Sequence, residues 1–278
     1  MIELIRLIEG PNNGHVEVNG STQLTRQHYQ PSNMGLFNYT HLPGWLENNW
    51  LFRKVFLLRK LFLTRRKFSH YSQFAEDVAI IRQFHKGYKG FFVDVGCFHP
   101  VKYNNTYRLY RKGWRGVNID IDSIKIEGFR MVRPADVNIA CAVSSKPGEF
   151  TYWSNGFYSL TITLDEAFAA GKPGYRKSTV KADTLTNILD GTKYKGQQID
   201  FLTIDAEGHD YEVLRSLDFD RYAPRLIAVE THHPAFDEVK NDELYQLLDG
   251  QGYVLANWVG LTLLFRRKGD EVLRKTTT

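Results

Sequence analysis

The sequence predicts an α/β fold in which helices cover both faces of a mostly parallel sheet. From residue 72 onwards, short apolar runs alternate with helical patterns, which is typical of such a sheet. The last two apolar runs have no room for a helix between them, so they predict an antiparallel hairpin at one edge. The chain has 278 residues, 42% of them hydrophobic, which suffices for one substantial core and excludes a wholly disordered or fibrous protein.

Short apolar runs bounded by polar or glycine-containing stretches predict the strands. The segments that meet this description are Phe91–Val95, Gly116–Ile121, Val137–Val143, Ile199–Ile204, Leu226–Val229, Tyr253–Ala256 and Leu261–Phe265. Aromatic, Gly and Pro residues interrupt the alternation at 150–180. This stretch predicts an insertion that lies near the sheet edge or over the ligand-binding site.

Helices are predicted where apolar residues recur every three or four positions and where caps and stops coincide. Ser72 is the expected cap of the first helix, and Gly87 its stop. Asn105 and Ser123 are expected to cap the next two. The predicted helices are Ser72–Lys86, Thr106–Lys112, Ser123 to the residue before Pro134, Thr184–Leu189, Tyr211–Leu217 and Asp242–Leu248.

The first 68 residues differ from the rest of the chain. Gly, Asn and Pro recur over residues 10–49 without a lasting period, which predicts a loosely ordered arm. A helix is predicted over Trp50–Phe68, where apolar residues are interspersed with Lys and Arg. We therefore expect an N-terminal arm with a basic and apolar helix over 1–68, and one α/β domain over 69–278 that contains the insertion.

The basic charge of the chain is concentrated in one segment. Between residues 48 and 75 there are seven Lys/Arg and no acid, and the remaining 29 Lys/Arg face 31 Asp/Glu. This distribution argues against a nucleic-acid-binding surface spread over the domain. The favoured interpretation is a helix packed on the domain, with its long basic side chains reaching solvent. Contact of 50–68 with an anionic membrane surface, or with acidic glycan or nucleic acid, is the alternative.

Three features predict the cellular location. No run of about 18 uncharged apolar residues occurs, so no membrane span is expected. Residues 1–10 carry Glu3, Arg6 and Glu9, which is unlike a signal peptide. Two cysteines exclude a disulfide-rich scaffold and fit a reducing compartment. We expect a cytoplasmic protein, with peripheral attachment to the inner membrane surface as the alternative.

Acidic residues end the first two predicted strands. Asp94 and Gly96 close the first strand, at the edge where open α/β sheets bind ligands. The residues after Gly96 do not complete a GxGxxG pattern, which argues against a dinucleotide and leaves room for a ribose without phosphate. Asp120 ends the second strand, where a carboxylate can accept hydrogen bonds from both ribose hydroxyls. A capping aspartate in an ordinary strand-end turn is the alternative for Asp94.

Acidic and imidazole groups also crowd the ends of two later strands. Asp205, Glu207 and His209 follow the strand that ends at Ile204. Glu230 and His232 follow the neighbouring strand. Such groups can act as general bases or hold a cation. Acids at the start of a helix also stabilise it in any fold, so a structural role is the alternative.

The sequence resembles FkbM-type methyltransferases, which use S-adenosyl-L-methionine. The resemblance is carried by Ser72–Asp77, by Phe91–Pro100 with Asn104–Tyr107, by Gly113–Asp120, and by Asp200–Leu214 with Leu226–Glu230. Together these segments span roughly residues 70–265. The resemblance implies the class I methyltransferase (Rossmann-like) fold, whose sheet has seven strands with the last one antiparallel. It implies S-adenosyl-L-methionine as the cofactor.

The resemblance also implies a set of cofactor-binding residues. They are Asp94, Gly96 and His99 beside the cofactor, Asp120 on its ribose, Asp136 and Ala142 near the adenine, Gln73 and Glu76 in the upstream block, and Asn105 after the loop. Asp205–Gly208 resembles the acidic motif of the family beside the methyl group. Asp210 stands where many members have Glu, and nothing transfers to residues 1–68.

The hypothesis that follows is O-methylation of a hydroxyl, on a sugar or glycan. A sugar hydroxyl is a poor nucleophile at neutral pH, so it needs a base or a metal. Glu207 or His209 is the expected base and Asp205 a positioning group, and Glu230 and His232 are further candidates. No metal is assigned, and a divalent cation on the same carboxylates is the alternative.

Other functions use the same features differently. A nicotinamide-dependent oxidoreductase would use the same sheet, but the missing glycines count against it. A catalytically inactive glycan- or membrane-binding module could retain the fold. An RNA methyltransferase would use the basic segment, yet the rest of the chain lacks a large phosphate footprint. In the insertion, Trp153 and Tyr158 are candidates for stacking on a sugar ring, or for ordinary edge packing.

Overall fold

Eleven strands form two sheets in the part of the chain that the structure describes. The structure is a computed structural model and describes residues 44–62, 70–156, 158–159, 162–163, 166–233 and 235–270. The strands are β1 (Phe91–Val95), β2 (Arg115–Asp120), β3 (Val137–Ala140), β4 (Ala142–Val143), β5 (Gly148–Asn155), β6 (Ile162–Thr163), β7 (Tyr175–Asp183), β8 (Phe201–Ile204), β9 (Leu226–Glu230), β10 (Tyr253–Val259) and β11 (Thr262–Arg267).

The helices of the described residues include counterparts of the predicted ones and four further short helices, over 44–47, 166–170, 219–222 and 236–240. They are α1 (Gly44–Glu47), α2 (Trp50–Phe62), α3 (Glu76–Arg82), α4 (Tyr107–Arg111), α5 (Ser123–Val132), α6 (Glu166–Ala170), α7 (Leu185–Asp190), α8 (Asp210–Arg215), α9 (Phe219–Tyr222), α10 (Phe236–Lys240) and α11 (Glu243–Gly250). The predicted arm over 10–49 falls mostly on residues 1–43, which lie outside the described residues.

The larger sheet has seven strands in the order β10-β11-β9-β8-β1-β2-β3. Strand β11 runs antiparallel to both of its neighbours, and every other pair is parallel. This is the strand order and direction of the class I methyltransferase fold, so both the parallel sheet and the C-terminal hairpin are confirmed. The order reverses beside β1, which is the point where open α/β sheets bind ligands.

Alternation along β1 divides the core between the two faces of the sheet. Phe91, Val93 and Val95 point to a cluster that includes residues of α7, α8 and α11. Phe92 points to the opposite cluster, with Ile80 of α3 and Leu109 of α4. All five residues of β1 are buried, as expected for a strand covered on both faces.

The insertion forms a small second sheet, in the order β4-β7-β5-β6. The predicted strand over Val137–Val143 divides at Cys141, whose N–H donates to the carbonyl of Asp120 at 3.1 Å. After this residue, β4 leaves the larger sheet and pairs with β7. The small sheet therefore starts at the edge strand β3 and extends from the carboxyl end of the large sheet.

Three helix caps differ from those predicted. Ser72 Oγ accepts from the N–H of Asp77, but the helix starts only at Glu76, after Ala75 in the left-handed region. Asn104, rather than Asn105, accepts from the N–H groups at the start of α4. Asp122, rather than Ser123, caps α5 by accepting from the N–H of Ile124. The second and third shifts are by one residue, because neighbouring Ser, Asn and Asp side chains can all serve as caps. In the first helix the cap position is Ala75, three residues after Ser72, and it makes no side-chain cap hydrogen bond.

Helix α2 packs on the domain through one apolar face. Phe52, Phe56, Leu57 and Leu61 are buried in a cluster that includes side chains of α5. On α5, Gly128 faces this helix, and a Cβ there would lie 3.5 Å from Leu61. The described part of the predicted helix over 50–68 ends at Phe62, and residues 63–69 lie outside the described residues.

Two ion pairs add to this packing. The carboxylate of Glu127 on α5 accepts from Arg53 at 2.7 Å and from Lys54 at 2.8 Å. Among the described residues, no helix is long and apolar enough to span a membrane.

Gly96 allows the closest backbone approach at the ligand edge. Its φ is +74°, and a Cβ at this position would overlap the carbonyl oxygen of Asp205. Beside it, the N–H of Asp205 donates to Val95 at 3.0 Å, and the N–H of Gly96 donates to Ile119 at 2.9 Å. The turn after β1 is therefore held between β2 and the loop that follows β8.

We predict that Gly96→Ala destabilises the protein strongly. The left-handed conformation costs an alanine about 1–2 kcal/mol, and the overlap with Asp205 adds about 1–3 kcal/mol. The expected fall in the free energy of unfolding is therefore about 3 kcal/mol, measured by urea denaturation. Gly148→Ala is the control, because a Cβ there has no atom within 4 Å. Equal stabilities of the two variants would contradict the predicted overlap.

Candidate active site

The candidate site lies where the carboxyl ends of β1, β2, β8 and β9 meet. Asp120 at the end of β2 organises the loop that follows β1. Its carboxylate accepts from the N–H of Phe98 at 3.0 Å and from the N–H of Asp122 at 2.9 Å. Each oxygen keeps a second lone pair with which it can accept a hydrogen bond. Asp120 thus lies at the end of β2, beside Gly96 and its turn, and its contact with a ribose stays a prediction.

Asp94 lies in a buried hydrogen-bond network. Its Oδ2 accepts from the hydroxyl of Thr106 at 2.6 Å and from the amide of Asn104 at 3.1 Å. The guanidinium of Arg133 donates to both partners, at 3.0 Å to Thr106 and 3.2 Å to Asn104. Burial raises the pKa of Asp94 to about 6, and the nearby Arg133 opposes that rise. Only 4% of Asp94 is exposed, so this side chain lies inside the protein, beneath the edge of the sheet where a ligand would bind.

Asp136 does not lie at the ligand edge, so the predicted contact with adenine is wrong. It precedes β3, and its carboxylate accepts from the N–H of Gly116, at the amino end of β2. Its second oxygen pairs with Arg133 at 2.9 Å. Ala142 follows Cys141, whose N–H donates to the carbonyl of Asp120, and its place near the adenine stays a prediction.

The upstream block packs against the loop before α4. The N–H of Asn104 donates to the carbonyl of Tyr71 at 3.2 Å. Glu76 is buried, and its carboxylate accepts from the N–H of Phe74 at 2.7 Å, whereas Gln73 is exposed. Asn105 donates to the hydroxyl of Thr203 on β8 at 3.2 Å. The structure therefore brings this block and Asn105 beside the strands of the site, and their contact with the cofactor stays a prediction.

His99 is a neutral, buried hydrogen-bond donor. Its Nδ1 accepts from the N–H groups of Val101 at 3.0 Å and Lys102 at 3.1 Å, so the proton sits on Nε2. Burial lowers the pKa of His99 to about 3, helped by the charges of Lys102 and Lys60. Within the described part of the chain, Nε2 has no hydrogen-bond partner, and neither has the buried hydroxyl of Tyr158. The two rings lie 6.1 Å apart.

Three carboxylates form the acidic part of the site: Asp205, Glu207 and Glu230. The pKa of Asp205 lies well above its ordinary value. Burial is the largest cause of this rise, and the charges of Glu230 and Glu207 add to it. Burial and Glu230 likewise raise the pKa of Glu207. Asp205 and Glu207 are exposed residues by surface area, so their carboxylates are flanked by protein atoms on some sides and reach solvent on another.

The two predicted histidines have different surroundings. His232 is mostly exposed, and its Nε2 lies 4.0 Å from Glu230 at the rim of the carboxylates. His209 lies against the small sheet: its Nε2 is 3.5 Å from the hydroxyl of Ser144, and its ring is 5.3 Å from Phe150. The structure therefore gathers Asp205, Glu207 and Glu230 with His232, and turns His209 to the side.

The sequence did not single out Lys125 as a site residue. It is buried on α5, and its ammonium lies 4.9 Å from the ring of Phe98. Burial raises the pKa of Glu207 and that of Asp122, and the charge of Lys125 opposes both rises. A lysine three residues into an amphipathic helix gives no local signal of such a position. Only the packing of α5 against the loop after β1 brings it there.

Strand β5 forms one side wall of the site. Phe150 packs on His209. Burial raises the pKa of Tyr152, and the nearby carboxylates of Asp122 and Asp120 raise it further. Phe150 and Tyr152 are two residues apart, so they lie on the same face of β5. Trp153 lies on the opposite face of that strand.

These groups fit S-adenosylmethionine. The turn at Gly96 packs against the backbone of Asp205 and so joins the ends of β1 and β8, and the buried donors of His99 and Tyr158 match the acceptors of a nucleoside. The carboxylates of Asp205, Glu207 and Glu230 suit the positive charge of a sulfonium. Among the described residues, no group of three His, Cys, Asp or Glu is arranged to hold a metal ion. Together, the fold and the site place the protein in the class of methyltransferases that depend on S-adenosylmethionine.

The comparison with protein families agrees with this class. The model of the methyltransferase FkbM domain matches residues 94–255, and the chain belongs to this family. No curated protein matches the chain. Among solved structures, it is similar to a TehB-like SAM-dependent methyltransferase from Corynebacterium glutamicum ATCC 13032 Kitasato. The identity is 13%, the TM-score is 0.39, and the match covers 79% of this chain and 100% of the other.

The raised pKa of Asp94 predicts an unusual dependence of stability on pH. The folded pKa is about 6 against an ordinary 3.8, so the folded state holds the proton more tightly between these values. This stabilisation is present at low pH and is lost as the pH rises through about 6. We expect the stability of the wild type, relative to Asp94→Asn, to fall by roughly 2–3 kcal/mol between about pH 4 and pH 7 in urea denaturation.

The matched control for this prediction is Glu149→Gln, which removes an exposed carboxylate from β5. Its difference from the wild type should stay constant over the same pH range. A pH-independent difference for Asp94→Asn would contradict the assignment of the raised pKa to this residue.

We predict that Asp120→Asn weakens binding of S-adenosylhomocysteine by about 10- to 100-fold, because hydrogen bonds to a charged group contribute about 1.5–3 kcal/mol. The measurement is isothermal titration calorimetry of the full chain, with NAD as the negative ligand. Asp190→Asn is the control, since that carboxylate pairs with Arg221 away from the site. An affinity unchanged by Asp120→Asn would remove this residue from the cofactor site.

Proposed function

We propose that this methyltransferase transfers the methyl group to a hydroxyl of a sugar or glycan. The observation that carries the proposal is the group of carboxylates at the ends of β8 and β9, beside the turn at Gly96. A carboxylate with a raised pKa is a stronger base than an ordinary one, which suits it to take a proton from a hydroxyl. The wall of Phe150 and Tyr152 supports the proposal further, because aromatic faces can pack on sugar rings.

Glu207 is the best candidate for the general base. Its side chain reaches solvent. Burial and the charge of Glu230 raise its pKa, and the charge of Lys125 limits that rise by stabilising the ionised carboxylate. Its backbone is in the left-handed region, with φ of +52°, a costly conformation for a residue other than glycine. Such strain at a site residue is consistent with a functional demand on the position of its side chain.

The other carboxylates have supporting roles in this mechanism. S-adenosylmethionine supplies an electrophilic methyl group when bound, so the protein mainly has to align the acceptor hydroxyl and remove its proton. Burial and the charge of Glu230 raise the pKa of Asp205 well above its ordinary value, so Asp205 in its protonated form can donate a hydrogen bond to the acceptor hydroxyl. His232 at the rim can pass the proton taken by Glu207 to solvent.

We predict that Glu207→Gln lowers kcat by about 10²- to 10⁴-fold, which is the usual contribution of a general base. Binding of S-adenosylhomocysteine should stay within a few-fold of the wild type. In the wild type kcat/KM should rise as the pH passes through the raised pKa of Glu207, and this limb should be lost in the glutamine variant. Glu207→Asp should retain part of the rate.

His209→Ala is the control for this experiment, because His209 contacts Ser144 and Phe150 rather than the carboxylates. It should retain most of the activity. A large loss in His209→Ala together with normal turnover of Glu207→Gln would exchange their roles and contradict the proposed base.

The acceptor class is tested by transfer of a labelled methyl group. Monosaccharides, sugar nucleotides, oligosaccharides and total RNA are offered in parallel to the full chain. We expect label in a carbohydrate fraction, as an alkali-stable methyl ether. Label confined to RNA, or to nitrogen or sulfur atoms, would contradict the proposed acceptor while leaving the methyltransferase class intact.

A further inference from the structure

We propose that Tyr158 of the insertion donates a hydrogen bond to the bound cofactor, and that helix α2 positions it. The hydroxyl of Tyr158 is buried, and among the described residues it has no hydrogen-bond partner. The same holds for Nε2 of His99, whose ring lies 6.1 Å from that of Tyr158. Buried polar groups are nearly always hydrogen-bonded, so two neighbouring donors without a partner indicate a place that a ligand completes. A contact with the cofactor would be made whichever acceptor the enzyme methylates.

The ring of Tyr158 is enclosed by protein. Its centroid lies 6.2 Å from that of Phe56 on α2 and 6.2 Å from that of Phe98 in the loop after β1. The ammonium of Lys60, one turn after Phe56, lies 4.2 Å from the centroid of the ring. Only 4% of Tyr158 is exposed. The ring therefore offers no open face on which a sugar could stack, and the hydroxyl is the group left for binding.

The backbone of Tyr158 is held in a costly conformation. Its φ is +61°, in the left-handed region that residues with a Cβ rarely adopt. The unpartnered hydroxyl adds the cost of removing a polar group from water. Strained residues cluster at ligand sites, where the surrounding packing holds them in place. Phe56, Lys60 and His99 supply that packing here.

Tyr158 lies near the carboxylate at the end of β2. The N–H of Phe98, which packs on Tyr158, donates to Asp120 at 3.0 Å. Burial raises the pKa of Tyr158 well above its ordinary value, and the charges of Asp122 and Asp120 raise it further, so the phenol keeps its proton and can donate it in a hydrogen bond. A ribose hydroxyl can donate to a carboxylate and accept from a phenol at the same time. A nucleoside held on Asp120 would therefore supply the missing partner of Tyr158.

Helix α2 fixes Tyr158 from outside the matched family domain. The family model begins at residue 94, whereas α2 ends at residue 62. Phe56 and Lys60 are four residues apart, so they lie on the same face of the helix, and both lie against Tyr158. On the same helix, Leu61 packs over Gly128 of α5, which anchors the helix to the domain. The N-terminal helix thereby becomes part of the cofactor site.

The test is isothermal titration calorimetry of the full chain with S-adenosylhomocysteine, together with urea denaturation of the ligand-free protein. Tyr158→Phe removes only the hydroxyl. We expect it to weaken the affinity by about 3- to 10-fold, the usual effect of one hydrogen bond between neutral groups. The ligand-free variant should be at least as stable as the wild type, because an unpaired buried polar group is removed. The same ratio of affinities is expected with 5′-methylthioadenosine, which keeps the nucleoside and lacks the amino-acid part.

The matched control is Tyr253→Phe, because the hydroxyl of Tyr253 is also buried but donates to the carbonyl of Pro224. This variant should lose stability and keep its affinity, which is the opposite result. An unchanged affinity in Tyr158→Phe would overturn the proposal and leave a buried water as the partner of the hydroxyl. A loss of stability in Tyr158→Phe would also overturn it, because the hydroxyl would then have a partner in the ligand-free protein.

Two further outcomes separate the parts of the ligand. A loss of affinity for S-adenosylhomocysteine that is absent with 5′-methylthioadenosine would overturn the assignment of the contact to the nucleoside. No binding of either ligand by the wild type would reject the cofactor itself, and the proposal with it.

The positioning role of α2 is tested by a double-mutant cycle. Phe56→Leu should weaken the affinity for S-adenosylhomocysteine by several-fold in the wild type and by less than about 2-fold in Tyr158→Phe, because both changes act through one hydroxyl. Leu57→Ala is the control, since Leu57 is buried on α2 and packs over Gly128. It should lower the stability and leave the affinity unchanged. No effect of Phe56→Leu, or an equal effect in both backgrounds, would overturn this role of the helix.

Discussion

The buried guanidinium of Arg133 is the interaction on which the ligand edge of this protein depends. Its side chain has no exposed area, and it pairs with Asp136 at 2.9 Å. It also donates to Asn104 and Thr106, which in turn hold Asp94. A charge removed from water is tolerated only with such partners, because desolvation alone costs several kcal/mol. The network therefore joins the end of α5, the start of β3 and the loop before α4 into one rigid unit.

The site above this unit is built from charges that oppose one another. After burial, the charge of Glu230 raises the pKa of Asp205 and that of Glu207, and Lys125 offsets part of the rise at Glu207. A positive charge bound beside these carboxylates would relieve the repulsion and stabilise the folded protein. The same repulsion makes one carboxylate a stronger base than it is in water.

Much of the fold could be predicted, because it depends on local patterns. The alternation of apolar runs with helices, and the two final strands without a helix between them, gave the sheet and its antiparallel strand. Two of the predicted caps were displaced by one residue, since neighbouring side chains compete for the same N–H groups. The insertion predicted over 150–180 falls within a four-stranded sheet that the sequence did not indicate, since its pairing joins residues distant in the sequence.

For the site, the sequence by itself determined which chemical groups stand at the ends of the strands. Asp94, Gly96, Asp120, Asp205 and Glu230 follow apolar runs, and parallel strands bring their carboxyl ends to one edge. Only the tertiary structure decided which of these groups meet. It moved Asp136 to the far end of the sheet, turned His209 aside, and brought Lys125 in. It also covered one side of α2 and exposed the other. These outcomes depend on desolvation, charge and packing between distant segments, which no local pattern encodes.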